Sequence, residues 1–75
     1  MAQAINLNEM VQIELAYAQR AVETKHHFDA SRSLLLARSA VIVGEETGAI
    51  KPRERQEYLK LYDDLSTKIE EVYIH

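Results

Sequence analysis

The residues that interrupt helices are concentrated in one short segment of this 75-residue chain. The two glycines and the single proline are Gly44, Gly48 and Pro52. Glycine and proline destabilise a helix interior more than any other residue, so the rest of the chain presents no strong obstacle to helix formation. The sequence therefore predicts an all-α protein whose clearest boundary lies at residues 44–52.

The segment before this boundary opens with a helix start signal. Asn6 and Glu9 have the spacing of a capping box, in which the Asn side chain accepts a hydrogen bond from the third helical N–H. Apolar residues then recur at intervals of three and four, which lines one helical face and predicts helix 1 over about residues 7–25. These residues are Leu7, Met10, Val11, Leu15, Ala18, Ala21 and Val22.

The apolar stripe fades between Glu23 and Ser33, which predicts a turn. Asp29 is then a reasonable N-cap for helix 2, over about residues 30–46. No glycine or proline enforces the break, so a continuous helix over about residues 7–46, roughly 60 Å long at 1.5 Å per residue, is the alternative. The fold would then be a long helical hairpin and not a small three-helix bundle.

Helix 2 is apolar on nearly every side, at residues 34–37 and 40–43. A helix that is apolar all round is a buried one, and two neighbouring helices cannot easily cover a third completely. A domain of this size is only marginally stable alone, and the chain has no cysteine for a disulfide. We therefore expect an oligomer, most simply a dimer, or another protein partner on helix 2.

The segment after the boundary has the cleanest helical period in the chain. Gly48 suits the left-handed position after helix 2, and Ile50 is placed to contact the last turn of that helix. Pro52 fits the first turn of the next helix. Apolar residues then step by four and three and predict helix 3 over about residues 52–73, within a single domain 1–75. They are Tyr58, Tyr62, Leu65, Ile69 and Val72.

The charges of helix 3 run against the helix dipole. Arg53 and Arg55 lie near its start and Glu70 and Glu71 near its end, whereas a helix favours acids at its start and bases at its end. One interpretation is that these charges are exposed to solvent and that the helix tolerates them. The other is an antiparallel pair of helices 3, in which the two arginines of one copy meet the two glutamates of the second. Apolar contacts would have to provide most of the affinity, because exposed ion pairs contribute little.

No catalytic or cofactor motif is visible. There is no Gly-x-Ser-x-Gly turn and no cysteine nucleophile, so we expect neither enzymatic activity nor a cofactor. His26 and His27 lie beside Glu23 and Asp29, in the one cluster that resembles a metal site. Glu23 and His27 are two ligands at most, and a third would have to come from His75, so we expect no metal.

A helix-turn-helix-like DNA-binding regulator is the alternative function. The segment 47–55 joins two helices through a glycine-containing turn and starts the second with basic residues. Arg53, Arg55, Gln56 and Lys60 would be the contacts. Acidic neighbours on the same helix and a net charge of −3 oppose affinity for a phosphate backbone, so nucleic acid is disfavoured without being excluded.

The sequence shows neither a secretory signal nor a membrane-spanning segment. Residues 1–6 show neither a basic region nor a long apolar run, so no secretory signal is visible. The longest uncharged, mostly apolar stretch, residues 39–44, is far short of the roughly 20 residues that a membrane helix needs. We expect no membrane association and a cytoplasmic location.

Small residues recur along the middle of the chain, ahead of the long third helix. They are Ala21, Ala30, Ser33, Ala37 and Ala40. Their spacing resembles that of the three-helix microtubule-interacting-and-trafficking domains and of tetratricopeptide-type hairpins, without assigning the chain to either family. The resemblance implies a groove between helices that accepts a helix of a partner.

These observations predict a small, non-enzymatic protein–protein interaction module, acting as an adaptor, an inhibitor or a chaperone-like stabiliser. It would bind itself or another protein through helix 2 and the apolar side of helix 3. The predicted contact residues are Leu35, Val41, Ile42, Val43, Tyr58 and Tyr62.

Overall fold

The structure is a computed structural model that describes the backbone of residues 6–74 and the side chains of residues 6–71. It contains three α-helices in chain order, α1 (Leu7–Glu23), α2 (His27–Thr47) and α3 (Pro52–Ile74), and no strand within the described range. The predicted all-α, three-helix fold is confirmed. The sequence-based assignments to the side chain of Val72 and to His75 fall outside the described side chains.

Helix α1 begins where the sequence places it. The Asn6 side chain accepts a hydrogen bond from the Glu9 backbone N–H at 3.2 Å, as a helix cap should. Glu9 in the first turn and Arg20 in the last turn both match the helix dipole.

The break between α1 and α2 is made by a lysine in the left-handed conformation. Lys25 has a φ of 63°, and its N–H donates to Val22 O at 3.1 Å, while the N–H of His26 donates to Ala21 O at 2.7 Å. This pair of bonds is the Schellman arrangement that usually requires glycine. The alternative of one continuous helix over residues 7–46 is therefore wrong.

Helix α2 starts earlier than the sequence suggests. It begins at His27, and Asp29 lies in its first turn, so the assignment of Asp29 as the N-cap was wrong. Asp29 still favours the helix start electrostatically, because its negative charge lies near the unpaired N–H groups.

Helices α1 and α2 form the most extensive contact between helices. A connection of three residues makes them antiparallel neighbours. The buried positions of α2 are mostly small side chains, which allow a close approach of two helices. The buried positions of α1 are Val11, Leu15, Ala18 and Ala21, and those of α2 are Ala30, Ser33, Leu34, Ala37, Ala40, Val41 and Gly44.

The end of α2 confirms the predicted roles of Gly48 and Ile50. Gly48 caps the helix with a φ of 80°, and the N–H of Ile50 donates to Gly44 O at 2.9 Å. The Ile50 side chain is buried. Gly44, in contrast, is no boundary: it lies inside α2, where Ile50 packs directly on its Cα.

Helix α3 is joined to α1 by a partly buried polar network that also includes the connection after α2. The Tyr58 hydroxyl donates to Asn8 Oδ1 at 2.8 Å and accepts from Gln12 Nε2 at 3.1 Å. Asn8 Nδ2 donates in turn to Ala49 O at 2.9 Å. Since Tyr58, Leu65 and Ile69 of α3 belong to the core, these bonds fix the register of α3 on α1.

Candidate protein-interaction surface

Helix α2 carries large apolar side chains on the side that neither α1 nor α3 covers. Five of them expose between 42% and 80% of their surface, and Phe28 is the most exposed. We call this set the α2 outer face. Its apolar members are Phe28, Leu35, Leu36, Ile42 and Val43.

The α2 outer face consists of two rows. Phe28, Leu35 and Ile42 are spaced by seven residues, as are Leu36 and Val43, and a seven-residue step brings a helix almost back to the same side. Exposed polar residues run between the rows at Arg32, Ser39 and Glu46. All five apolar residues lie opposite the buried stripe of α2, so the helix has an apolar inner side of small residues and an apolar outer side of large ones.

The structure divides the six predicted contact residues into two groups. Leu35, Ile42 and Val43 lie on the α2 outer face. Val41 is only 3% exposed and Tyr58 only 8%, and both belong to the core. Tyr62 is partly buried against the same core.

Val41 and Tyr58 are therefore unavailable as partner contacts in this fold, and that part of the prediction is corrected. Val41 follows Ala40 and Ala37 on the inner side of α2, about 100° from Ile42. Tyr58 uses its hydroxyl within the chain, as described above, and has the role of a core-edge tyrosine.

Two residues of the α2 outer face were not predicted from the sequence. Phe28 was assigned to a turn, and Leu36 was counted only as one of a run of apolar residues. The signal that identifies them is the seven-residue spacing to Leu35 and Val43, which becomes informative once α2 is known to begin at His27.

The charged residues of α3 are partly used within the chain. Arg55 Nε lies 2.7 Å from Glu45 Oε2 of α2, with both side chains about half exposed. The Glu54 carboxylate accepts a hydrogen bond from the Lys51 N–H at 3.0 Å and so caps the helix start. Arg53, Glu70 and Glu71 are exposed.

These contacts weaken the support for an antiparallel pair of helices α3. Arg55 already has a partner, and the apolar positions of α3 face the core of their own chain. Leu61, about half exposed, is the one large apolar side chain that α3 leaves open within residues 52–71. Such a pairing would depend on exposed ion pairs, which are worth little.

One of the basic residues proposed for DNA contact is already paired within the chain. Arg53, Gln56 and Lys60 are exposed as the alternative requires, but Arg55 forms an ion pair with Glu45. An interface for phosphate groups gains its affinity from clustered, free positive charge.

Helix α1 adds a second, shallower apolar feature. Ile13 and Tyr17 are exposed and line a surface cleft of about 630 Å³ together with Arg20, His26 and Asp29. A smaller cleft of about 240 Å³ connects Tyr17 to Leu36 of α2. Leu36 and Tyr17 thus flank a cleft between α2 and α1 whose other lining residues are polar.

Within the described residues, no group of three or more His, Cys, Asp or Glu side chains is arranged to hold a metal ion. Nor does any of the described helices contain an apolar stretch long enough to cross a lipid bilayer.

Comparison with known proteins supplies no relative from which a function can be transferred. No family model matches the chain, and neither a curated protein nor a solved structure matches it.

Proposed function

We propose that this chain is a small, non-enzymatic protein-interaction module that binds another protein chain through the α2 outer face. Its biological role would be that of an adaptor, an inhibitor or a chaperone-like stabiliser of its partner. The single observation that carries the proposal is the set of five large apolar side chains that α2 leaves open to solvent.

The size of this surface supports a binding role. From their exposed fractions, the five side chains present roughly 500 Å² of surface in two rows on one side of α2, similar in area to the largest apolar patch on a typical monomer. Phe28 alone is 80% exposed. Removing such area from water is favourable by roughly 25 cal/mol per Å², so a partner that covered it would gain substantial free energy.

The proposed surface is smaller than the one predicted from the sequence, which also included the apolar side of helix 3. Helix α3 buries its apolar side against α1 and α2, which leaves α2 as the principal surface and α1, through Ile13 and Tyr17, as a flank. A partner helix lying along α2 would meet the side chains of four successive turns.

A site-specific photo-crosslinker tests the proposal. Benzoylphenylalanine is placed at Leu35 and, as a matched control, at Leu61, a leucine of similar exposure on α3. After illumination in cells that produce the protein naturally, Leu35 should give discrete adducts of higher mass and Leu61 few or none. Absence of adducts at Leu35, or equal yields at both positions, would contradict the proposed surface.

A pair of substitutions at neighbouring positions separates binding from folding. Ile42→Asp should abolish the adducts and leave the helical circular dichroism spectrum intact, because Ile42 is half exposed outside the core. Val41→Asp, one residue away at 3% exposure, should unfold the protein, because it would bury an unpaired carboxylate. If Ile42→Asp lost helicity together with binding, Ile42 would belong to the core and not to a contact surface.

A further inference from the structure

We infer that the occupant of the α2 outer face is a second copy of this chain, whose α2 runs antiparallel to the first about a twofold axis at Ser39. This inference rests on the proposed function, because it names the partner of that same surface. It is carried by the order of charged, small and apolar residues along α2.

The polar row of the α2 outer face is self-complementary. Arg32 lies seven residues before Ser39 and Glu46 seven residues after it, and all three are exposed. In an antiparallel pair centred on Ser39, Arg32 of each copy is directly opposite Glu46 of the second copy. Both ion pairs lie about 10 Å from the axis along the helix, at 1.5 Å per residue.

The two apolar rows match in the same register. A twofold axis perpendicular to the helices keeps each row on its own side of the interface, so Leu35 meets Ile42 of the second copy and Leu36 meets Val43. Ser39 is small, which allows the helix backbones to approach closely at the axis. A partner residue is thus available for each of these four apolar side chains, as an isologous interface requires.

The charges also disfavour the parallel arrangement. A parallel pair in register would put Arg32 against Arg32 and Glu46 against Glu46, which is repulsive at both ends of the surface. Two other acids lie near this row: Asp29 lines the cleft toward α1 together with Glu14 and Arg32, and Glu45 is paired with Arg55.

The area is at the lower limit for a specific dimer. Two copies of Leu35, Leu36, Ile42 and Val43, with the flanking Arg32, Ser39 and Glu46, would bury at most on the order of 1,000 Å² in total. Phe28 is not counted, because it lies opposite position 50, beyond the end of α2 of the second copy. We therefore expect a dimer of moderate affinity, whose dissociation is visible when the protein is diluted.

Two separate variants, each with one charge reversed, test the register. Arg32→Glu and Glu46→Arg each place like charges at both ends of their own homodimer, so each should dimerise about tenfold or more weakly than the unaltered chain. Glu46→Arg puts a base in the last turn of α2, which favours the helix, whereas Arg32→Glu puts an acid near Asp29. Helical circular dichroism of both variants therefore checks that loss of dimer is not caused by a weaker helix.

Mixing the two variants gives the decisive measurement. In the mixed dimer each end again joins an arginine to a glutamate. Native mass spectrometry of an equimolar mixture should therefore find well over half of all dimers to be the heterodimer, whereas random pairing would give one half. Its dissociation constant should return to that of the unaltered chain. Light scattering on a sizing column, over a hundredfold range of concentration, supplies the masses.

A single cysteine provides an independent check on the axis. The chain has no cysteine, so Ser39→Cys introduces one thiol per copy, and two such thiols would meet at the axis. Ser39→Cys should form an intermolecular disulfide much faster than Thr67→Cys, a control on the exposed side of α3.

The possible results separate this inference from the proposed function. A monomer at every concentration, combined with adducts of Leu35 to a different protein, overturns the second copy and leaves the interaction surface standing. A dimer that ignores the charge reversals, or that crosslinks equally at residues 39 and 67, overturns the antiparallel register. A monomer without adducts overturns both proposals.

Discussion

Replacing Gly44 by alanine tests how the chain turns from α2 into α3. Inside an exposed helix this change raises stability by about 1 kcal/mol, because alanine is the better helix former. Here an added Cβ would lie 2.5 Å from Ile50 Cγ1 and 3.1 Å from Ile50 Cβ. Overpacking of this kind costs about 1–3 kcal/mol, so the clash exceeds the gain in propensity. We expect Gly44→Ala to lower the free energy of unfolding by about 1 kcal/mol.

The cause of that loss is checked by removing the side chain that the methyl group meets. In an Ile50→Ala background, Cγ1 and Cδ1 are absent, so Gly44→Ala should become neutral or slightly stabilising. Gly48→Ala is the matched control. It should also destabilise, because Gly48 has a φ of 80°, but its added Cβ would have no neighbour within 4 Å. Its loss should therefore be the same in both backgrounds.

Urea unfolding of the six proteins at one protein concentration measures these differences. The concentration is held constant because association would add to the apparent stability. Ile50→Ala alone should cost about 2–4 kcal/mol, so all titrations include the same amount of trimethylamine N-oxide to keep that background folded. A rise in stability for Gly44→Ala, or a loss that persists without the Ile50 side chain, would refute the steric argument.

Two further substitutions test the connections between helices. Lys25→Gly should raise the free energy of unfolding by about 1 kcal/mol, because glycine adopts the left-handed conformation of this position without the steric penalty of a side chain. This should appear as a rise of roughly 4–8 °C in the midpoint temperature of thermal unfolding, and Lys25→Ala should show no such rise. Tyr58→Phe should cost about 1 kcal/mol by urea titration, because Asn8 Oδ1 and Gln12 Nε2 lose their shared partner. If the urea concentration at the unfolding midpoint did not change, a water molecule would have replaced the hydroxyl as the hydrogen-bond partner of Asn8 and Gln12.

The parts of the fold that could be predicted from the sequence are those with local signals. Asn6 as a cap, Gly48 in the left-handed conformation and Pro52 in the first turn of α3 act through their own backbone or their nearest neighbours. For that reason the start of α1 and the whole connection between α2 and α3 were placed correctly.

The break at Lys25 could not be predicted in the same way. A lysine in the left-handed conformation is unfavourable locally, and it is stabilised here by the packing of α2 against α1. That packing depends on the buried residues of both helices, which are distant in sequence. Propensity and periodicity carry no information about such pairs.

Of the six predicted contact residues, only Leu35, Ile42 and Val43 lie on the candidate surface. The sequence could not single them out because helix 2 is apolar on both sides. Hydrophobicity does not distinguish Val41 from Ile42, although one is in the core and the other is half exposed. Their separation follows from which side of α2 meets α1, and that side is marked by small residues. Tyr58 was likewise ambiguous, because a tyrosine with a buried ring and a bonded hydroxyl has the same sequence signature as one at an interface.

The distribution of side-chain size on α2 is the strongest reason to regard its outer face as functional. The inner side buries mainly Ala30, Ser33, Ala37 and Ala40, while larger side chains remain in water. A chain that had only to fold would gain more from the opposite arrangement, since buried area stabilises in proportion to its size. Small residues inside allow α1 and α2 to pack closely, and the three-helix molecule is 14 Å across its thinnest dimension. The large residues are then presented on one rigid helix, where their contacts with a second chain can contribute the stability that the small core does not supply.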